Sequence, residues 1–571
     1  MRSVPVFRTS RVNSCRAMSS QATCFVKSEA QCKKENHLLH CNSKTNKIFK
    51  GMASDMFKQF FLLLRSYFDL FIDFLFSLYW ERYRQSIPDL EKKHAILAES
   101  ATSLAGKIRN KELKSEELIQ ACIERIKLVN PILNAVTDDR FEEALKEAQE
   151  VDRSIEAGQA DFEKKPFLGV PFTAKESHAV AGMLHTLGIS MRRHVRAHED
   201  AECVRLLRAA GAIPVAVTNV PEINKWQETR NMVFGQTANP YHTGRTVGGS
   251  SGGEAALSAA IASPISLCSD IGGSTRMPAF YCGLFGLNPT AGTTSLKGSA
   301  LRSGLEPTMA SVGFISKHSQ DLAPLTAVLL NDEDKQKLGR KVNIEDIKFF
   351  YTESAQDLRV SPLSQDLRKA MNRVVEGLRE GGFGGGGGAG ARRYDHPGFQ
   401  HMYALWRHAM TKEAESFSHL LTNNQGKANG LLELLKKLIG FSAYTLAAIL
   451  KLLDDQVLPR VDRDWAEKTT KELREDLVST LGADGVLLFP SAPAPAPYHY
   501  SLYLRPFNFA YWGVFNALKL PTAQVPLGLN AAGLPLGVQV VAGPHQEALC
   551  LQVARLLEDQ FGGFVPPCRV P

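Results

Sequence analysis

Residues 56–80, MFKQFFLLLRSYFDLFIDFLFSLYW, form an apolar run broken at only a few positions. At helical periodicity Lys58, Arg65, Asp69 and Asp73 fall within a stripe of roughly 80°, and Phe, Leu, Ile and Tyr cover the remaining surface. An ordinary spanning helix wants about 20 apolar residues with few charges. This pattern instead predicts a helix that lies in the membrane interface, or one that spans it paired with a second helix. A membrane-associated helix is therefore expected over residues 56–84.

From Ile87 the pattern becomes that of a globular domain. SEELIQACIERIKLVN, residues 115–130, opens with Ser115 and Glu117 before a periodic run, which predicts an amphipathic helix with a capping box at Ser115. FEEALKEAQEVDRSIEAG predicts a second helix that stops at Gly158. FLGVPFTAKES reads as a short buried strand running into a turn. AECVRLLRAAGAIPVAVTNV reads as a helix, a stop at Gly211 and another buried strand. The alternation predicts an α/β sheet with helices on its faces. Residues 430–455, GLLELLKKLIGFSAYTLAAILKLLDD, predict two apolar helices broken at Gly440. Core packing and a membrane-touching cap, with Lys436, Lys437 and Lys451 among the leucines, are both open for them.

Charge changes the picture less than its total suggests. The chain of 571 residues has a net charge of +8, and residues 1–50 alone hold ten Lys/Arg against two Asp/Glu. The remainder balances, which excludes a basic domain built for nucleic acid or another polyanion. The first 55 residues are expected to be a disordered extension. Their Arg- and Ser-rich composition is also that of a mitochondrial transit peptide, and Met52 or Met56 could start a shorter chain. The ten cysteines are scattered without a CxxC pair. Cys32, His37, His40 and Cys41 lie close together but fit no usual zinc spacing, so reduced thiols are the reading. Residues 381–390, GGFGGGGGAG, predict a flexible loop.

The candidate chemistry begins at VGGSSGGEAALSAA, residues 247–260. A phosphate loop would need Gly-Lys-Ser/Thr, whereas Glu254 follows these glycines and would repel phosphate. Gly248-Gly249-Ser250-Ser251-Gly252 also satisfies the G-x-S-x-G elbow, which would need a downstream acid and a histidine; His318, His396, His401 and His545 are the candidates. A third reading uses DIGGSTRMP, residues 270–278. There Ile271, Gly272 and Gly273 precede Ser274, so backbone N–H groups can converge beside its hydroxyl as an oxyanion hole requires. Lys175, after its buried strand, could serve as the base, because burial favours the neutral amine.

Lys175, Ser250 in GGSSGG and Ser274 in DIGGS, 24 positions later, together resemble the amidase signature family. TANPYHTGRTVGGSSGGEAAL, MPAFYCGLFGLNPT and LPTAQVPLGLNAAGLPLGVQVVAGP extend the resemblance over about residues 90–565 of a catalytic domain set at 87–568. With the apolar helix and RPFNFAYWGVFNALKLP, the chain looks like the fatty-acid amide hydrolases of that family, the type 2 form in particular. The resemblance implies a large, mixed, twisted β-sheet covered by helices on both faces. It also implies Ser274 as nucleophile, Ser250 on a cis peptide bond as proton relay, and Lys175 as base. Ile271, Gly272, Gly273 and Ser274 would supply the oxyanion donors, and Ser251 would bond within its loop. Asp270 and Arg276 match as structural ion-pair partners, whereas Thr275 and Cys268 depart from the family pattern beside the oxyanion segment. The implied reaction cleaves long-chain fatty-acid amides through an acyl-enzyme, without metal or organic cofactor. Expected partners are a lipid amide, the membrane and a homodimer, with no nucleic acid, in an intracellular, membrane-associated setting. A short-chain amidase or esterase and an inactive scaffold are the rival readings.

Overall fold

The computed structural model describes residues 56–355, 357–384, 390–414 and 416–571. The extension 1–55, with its Cys/His cluster, and residues 385–389 of the glycine tract lie outside the described residues. The chain divides into two units, Met1–Phe61 and Leu62–Pro571. Of the first, residues 56–61 are described, and they are helical.

The second unit is built on one mixed sheet. Its strands are β1 (Val136–Asp139), β2 (Pro171–Lys175), β3 (Ile213–Thr218), β4 (Ile265–Asp270), β5 (Phe285–Asn288), β6 (Ser311–Ser316), β7 (Lys348–Tyr351), β8 (Arg392–Arg393), β9 (Gly485–Pro490), β10 (Thr522–Leu529) and β11 (Pro535–Val541). These 11 strands lie in the order β1-β3-β2-β4-β6-β5-β10-β11-β9-β7-β8. β2 runs parallel to both its neighbours, β3 and β4, whereas the centre from β4 to β9 is antiparallel. Every residue of β2, β3, β6, β9 and β11 is buried. Successive side chains of a strand point to opposite faces, so complete burial means that both faces of this sheet are covered.

The helices stop where local chemistry makes them stop. Phe141–Glu156 ends before Gly158, which takes φ +69°, and Glu202–Ala209 ends before Gly211 at φ +91°. The helix Ser115–Leu133 forms where expected, but its capping box does not. Ser115 and Glu116 donate their N–H groups to the carboxylate of Asp152, at 2.8 and 3.0 Å, and the Ser115 hydroxyl donates to Gly169 O. A carboxylate from the neighbouring helix replaces the local cap and also matches the helix dipole.

Residues 62–80 also differ from expectation. Their charged stripe faces protein. Arg65 donates to Leu504 O at 3.4 Å, and the guanidinium of Arg505 lies between the carboxylates of Asp69 and Asp73. Trp80 stacks on Tyr500 with ring centroids 5.8 Å apart. The apolar face is the exposed one: Leu63, Leu64, Phe68, Leu70, Phe71, Phe74 and Leu78 lie on the surface. The transmembrane alternative finds no support, since no helix among the described residues is long and apolar enough to cross a membrane. Asp69 and Asp73, two of the charges that interrupt its apolar run, are the ones that pair it with Arg505.

Candidate active site

Parallel pairing of β2 with β4 sets Thr173 opposite Ser266 and Ala174 opposite Leu267, so both strands end at the same edge of the sheet. Beyond the carboxyl ends of parallel strands the backbone diverges and leaves room for a site. Lys175 closes β2 there, with 1% of its surface exposed. Its Nζ lies 2.7 Å from Ser250 Oγ, 3.1 Å from Ser269 Oγ and 3.3 Å from Ser269 O. Burial pulls the Lys175 pKa down to about 7, against weaker opposing effects from Cys268, Asp270 and Glu254. A neutral amine has two N–H bonds and one lone pair. The ammonium would donate to Ser250 as well as to Ser269; in the neutral form, with both N–H bonds given to Ser269, the lone pair would be left for the Ser250 hydroxyl.

Ser250 is fully buried, and the Gly249–Ser250 peptide bond is cis. The surrounding glycines are required by close approach: a Cβ on Gly249 would come within 2.4 Å of Trp226 O, and one on Gly252 within 2.2 Å of Thr229 Oγ1. Glu254, in the first turn of the next helix, points its carboxylate under β2 and accepts from the hydroxyls of Thr173 at 2.6 Å and Thr218 at 2.7 Å. Burial raises its pKa to about 7. Glu176 is also buried and turns away from the site, accepting the N–H groups of Thr186 and Leu187. Ser251 contributes its backbone, donating N–H to Ser274 O at 3.1 Å, whereas its side chain lies against the Cys268 thiol and makes no hydrogen bond within its own loop among the described residues.

Asp270 organises the segment that follows β4. It forms a buried ion pair with Arg276 at 3.1 Å and accepts the N–H groups of Gly273 at 2.7 Å and Thr275 at 3.0 Å. Arg276 also donates to Gln539 at 2.8 Å and to Asn516 at 2.6 Å. The N–H of Gly273 is thereby engaged. Those of Ile271, Gly272 and Ser274 have no hydrogen-bond partner among the described residues. Gly273 takes φ +105° with Trp512 Cβ 2.5 Å from where its own Cβ would be, so glycine is required there. Thr275 and Cys268 are both buried, and burial pushes the Cys268 thiol well up, so it stays neutral.

Two cavities meet at Ser274. A small one, about 50 Å³, is walled by Lys175, Ser250 and Ser269 together with the apolar Ile223, Leu296 and Phe417, and also by Arg302 and Glu413, which pair at 2.8 Å. A larger apolar one, about 490 Å³, runs from Ile271 and Gly272 past Trp406, Phe507 and Phe509 to Leu450, Leu453 and Leu458. Lys175, Ser250 and Ser274 thus share one cavity wall, while among the described residues no hydrogen bond joins the two serine hydroxyls. Among the described residues, no histidine lines either cavity. His318 is held by Ala98 O, His396 caps Gly398, and His545 faces Asp334, so the elbow reading finds none of these three beside its serine. Sequence patterns missed Ser269, the Thr173–Glu254–Thr218 contacts, Trp406 and the Arg302–Glu413 pair. Only Ser269, next to the DIGGS motif, carried a positional signal.

Residues 117–551 match the Amidase family. Fatty-acid amide hydrolase 2 of Homo sapiens is 42% identical over 487 residues, covering 83% of this chain and 91% of the human protein. Fatty-acid amide hydrolase 2-A of Danio rerio is 38% identical over 506 residues, covering 86% and 94% of the two chains. Among solved structures, a fatty acid amide hydrolase superposes with a TM-score of 0.66 at 22% identity over 84% of this chain and 87% of its own. A 6-aminohexanoate cyclic dimer hydrolase, complexed with its substrate, superposes with a TM-score of 0.65 at 24% identity over 81% and 97%. At those identities the two superpositions speak for the fold. The family match and the two sequence relatives go further: this chain belongs to the amidase family, as a hydrolase similar to fatty-acid amide hydrolase 2.

Proposed function

We propose that this hydrolase cleaves long-chain fatty-acid amides with a Ser274–Ser250–Lys175 triad and takes them from a lipid surface. The observation that carries the reading is the meeting at Ser274 of the apolar cavity and the small one walled by Lys175, an amine whose pKa burial brings down to about 7. A volume of about 490 Å³ lies in the range of roughly 300–1,000 Å³ typical of ligand sites. It suits the acyl chain, and the small cavity, with Lys175 and Ser250 in its wall, suits a compact amine.

In the proposed reaction, neutral Lys175 takes the Ser250 proton while Ser250 takes that of Ser274. Ser274 Oγ then bonds to the amide carbon, and the carbonyl oxygen becomes the oxyanion that Ile271, Gly272 and Ser274 N–H groups face. Gly273 joins them only by sharing the N–H now given to Asp270. Because an amide expels a protonated amine far more readily, Ser250 passes its proton to the leaving nitrogen and takes one back from the Lys175 ammonium, which restores the neutral base. The C–N bond breaks, leaving the ester on Ser274. Water activated through the same relay then releases the acid.

Exposed apolar residues support the lipid surface. Leu431, Leu432, Leu435, Leu438, Ile439 and Phe441 are exposed on the helical cap, and Leu431 also lines the apolar channel. Residues 62–80 expose a second apolar face beside Leu504 and Arg505, next to channel-lining Tyr503 and Pro506. A substrate dissolved in lipid would thus meet the channel without crossing water. The test compares fluorophosphonate labelling and hydrolysis of a C18 amide with those of a C2 amide, in wild type and Ser274→Ala. Labelling lost in the variant, with the long amide preferred, supports the reading. Preference for the C2 amide would favour the short-chain alternative, and absent labelling an inactive scaffold.

A further inference from the structure

We infer that Trp406 is a positioning residue for the oxyanion hole, and that it ties the filling of the apolar channel to the orientation of the Gly272 N–H. The inference deepens the reading of this site given above and rests on it.

Trp406 lies in the helix Met402–Met410, far in sequence from the serine motifs, with 7% of its surface exposed. Its indole Nε1–H donates to Ile271 O at 2.8 Å. The Ile271–Gly272 peptide is planar and trans, so its carbonyl and its N–H point in opposite directions. Holding Ile271 O therefore sets the direction of the Gly272 N–H, which has no hydrogen-bond partner among the described residues. The ring also rests on the loop itself: a Cβ on Gly272 would come within 2.9 Å of Trp406 Nε1. Gly273 N–H is given to Asp270, so the Gly272 donor carries more of the remaining capacity.

The same indole is part of the channel wall. It meets Phe509 edge to face, with centroids 4.5 Å apart and planes at 76°, and both rings line the apolar cavity that ends at Ile271, Gly272 and Ser274. An acyl chain lying in the channel packs on the ring whose N–H holds the loop. Chain binding then restrains the indole and the peptide plane behind it, so a long acyl group gains in kcat as well as in KM. That is binding energy from a remote part of the substrate used at the reacting centre.

The test removes the N–H and keeps the ring. Trp406→Phe, and β-(3-benzothienyl)alanine incorporated at position 406 as the isosteric replacement, are compared with wild type on C18 and C2 amides. Affinities for a long-chain trifluoromethyl ketone, whose adduct is an oxyanion, and for the free fatty acid are measured alongside. Loss of a whole oxyanion donor costs about 10²–10³ in kcat, so a misdirected donor is expected to cost about tenfold or more. Expected are a fall in kcat on the C18 amide, a similar loss of ketone affinity, and KM and fatty-acid affinity within about twofold of wild type. The kcat advantage of the long over the short amide should shrink. Unchanged kcat in a folded variant, or equal losses of ketone and fatty-acid affinity, would make Trp406 a channel wall and nothing more. If Trp406→Phe fails to fold, the benzothienyl variant, which differs by one atom and its hydrogen, decides. A wild type active on the C2 amide alone would overturn the long-chain reading, whereas the variant's kcat on that amide would still report on the loop.

Discussion

Two regions meet at Ser274, and they are built in opposite ways. Around Lys175 the groups come from short spans at the ends of β2 and β4 and from one glycine loop, and hydrogen bonds hold them. The apolar channel collects Trp406, Leu453 and Phe509 from segments far apart in the chain and holds them by packing, with the Trp406–Ile271 bond as a polar tie to the loop. Buried hydrogen-bonded groups tolerate little displacement, whereas an apolar wall accepts many shapes of similar volume. Chemistry is thus expected to fail abruptly on substitution in the first region, and selectivity to drift gradually in the second.

The comparison breaks most visibly at Ser274, the proposed nucleophile. Ser274→Ala should reduce amide turnover to background, a loss on the order of 10⁴-fold or more, while the melting temperature and fatty-acid affinity stay near wild type. Turnover surviving in Ser274→Ala but not in Ser250→Ala would return the elbow reading. Next in size is the ion pair behind the loop. Arg276→Met leaves Asp270 charged and buried, which should cost about 3–5 kcal/mol in a denaturant titration. A loss below 1 kcal/mol would show that Asp270 leans on its N–H donors and Asn516 rather than on Arg276.

The second region should respond more softly. Leu435 and Leu438, which are 62% and 76% exposed, would enter the lipid on the proposed reading. Replacing both with Glu should weaken co-sedimentation with phosphatidylcholine vesicles by on the order of ten- to a hundredfold, and leave hydrolysis of a soluble short amide unchanged. Unchanged sedimentation would move the lipid contact onto residues 62–80 or remove it altogether.

How much of this was legible beforehand follows the same division. Phe141–Glu156 and β3 announce themselves by periodicity and by glycine stops, and those signals are local. Ser250 and Ser274 stand in motifs with backbone reasons of their own. The capping box at Ser115 was a sound local inference that Asp152, a residue of the next helix, displaced. The charged stripe of residues 62–80 was visible too, but periodicity says which residues share a face and not what that face meets. Arg505, more than 430 positions away, turned it inward. Trp406 is hidden for the same reason, since it acts on Ile271 across 135 positions. Motifs report what the backbone needs locally, and partners brought together by the fold leave no such mark.

If a neutral, buried Lys175 drives the reaction, the acylation of Ser274 must follow its titration. The rate of fluorophosphonate labelling would be followed from pH 5 to 9 in wild type, Lys175→Ala and Glu254→Gln. On the proposed mechanism Lys175, whose pKa burial lowers to about 7, is protonated and idle below that value and free to accept a proton above it. Labelling should therefore rise about tenfold per pH unit up to about pH 7 and then level off. Glu176 and Glu254 are raised into the same range, so the variants assign the limb. In Lys175→Ala the rate should be lower by about 10²–10⁴-fold and flat. In Glu254→Gln the limb should persist with its midpoint shifted down, because the lost negative charge had favoured the ammonium. A limb that survives in Lys175→Ala, or a wild-type rate that does not change with pH, would contradict the account.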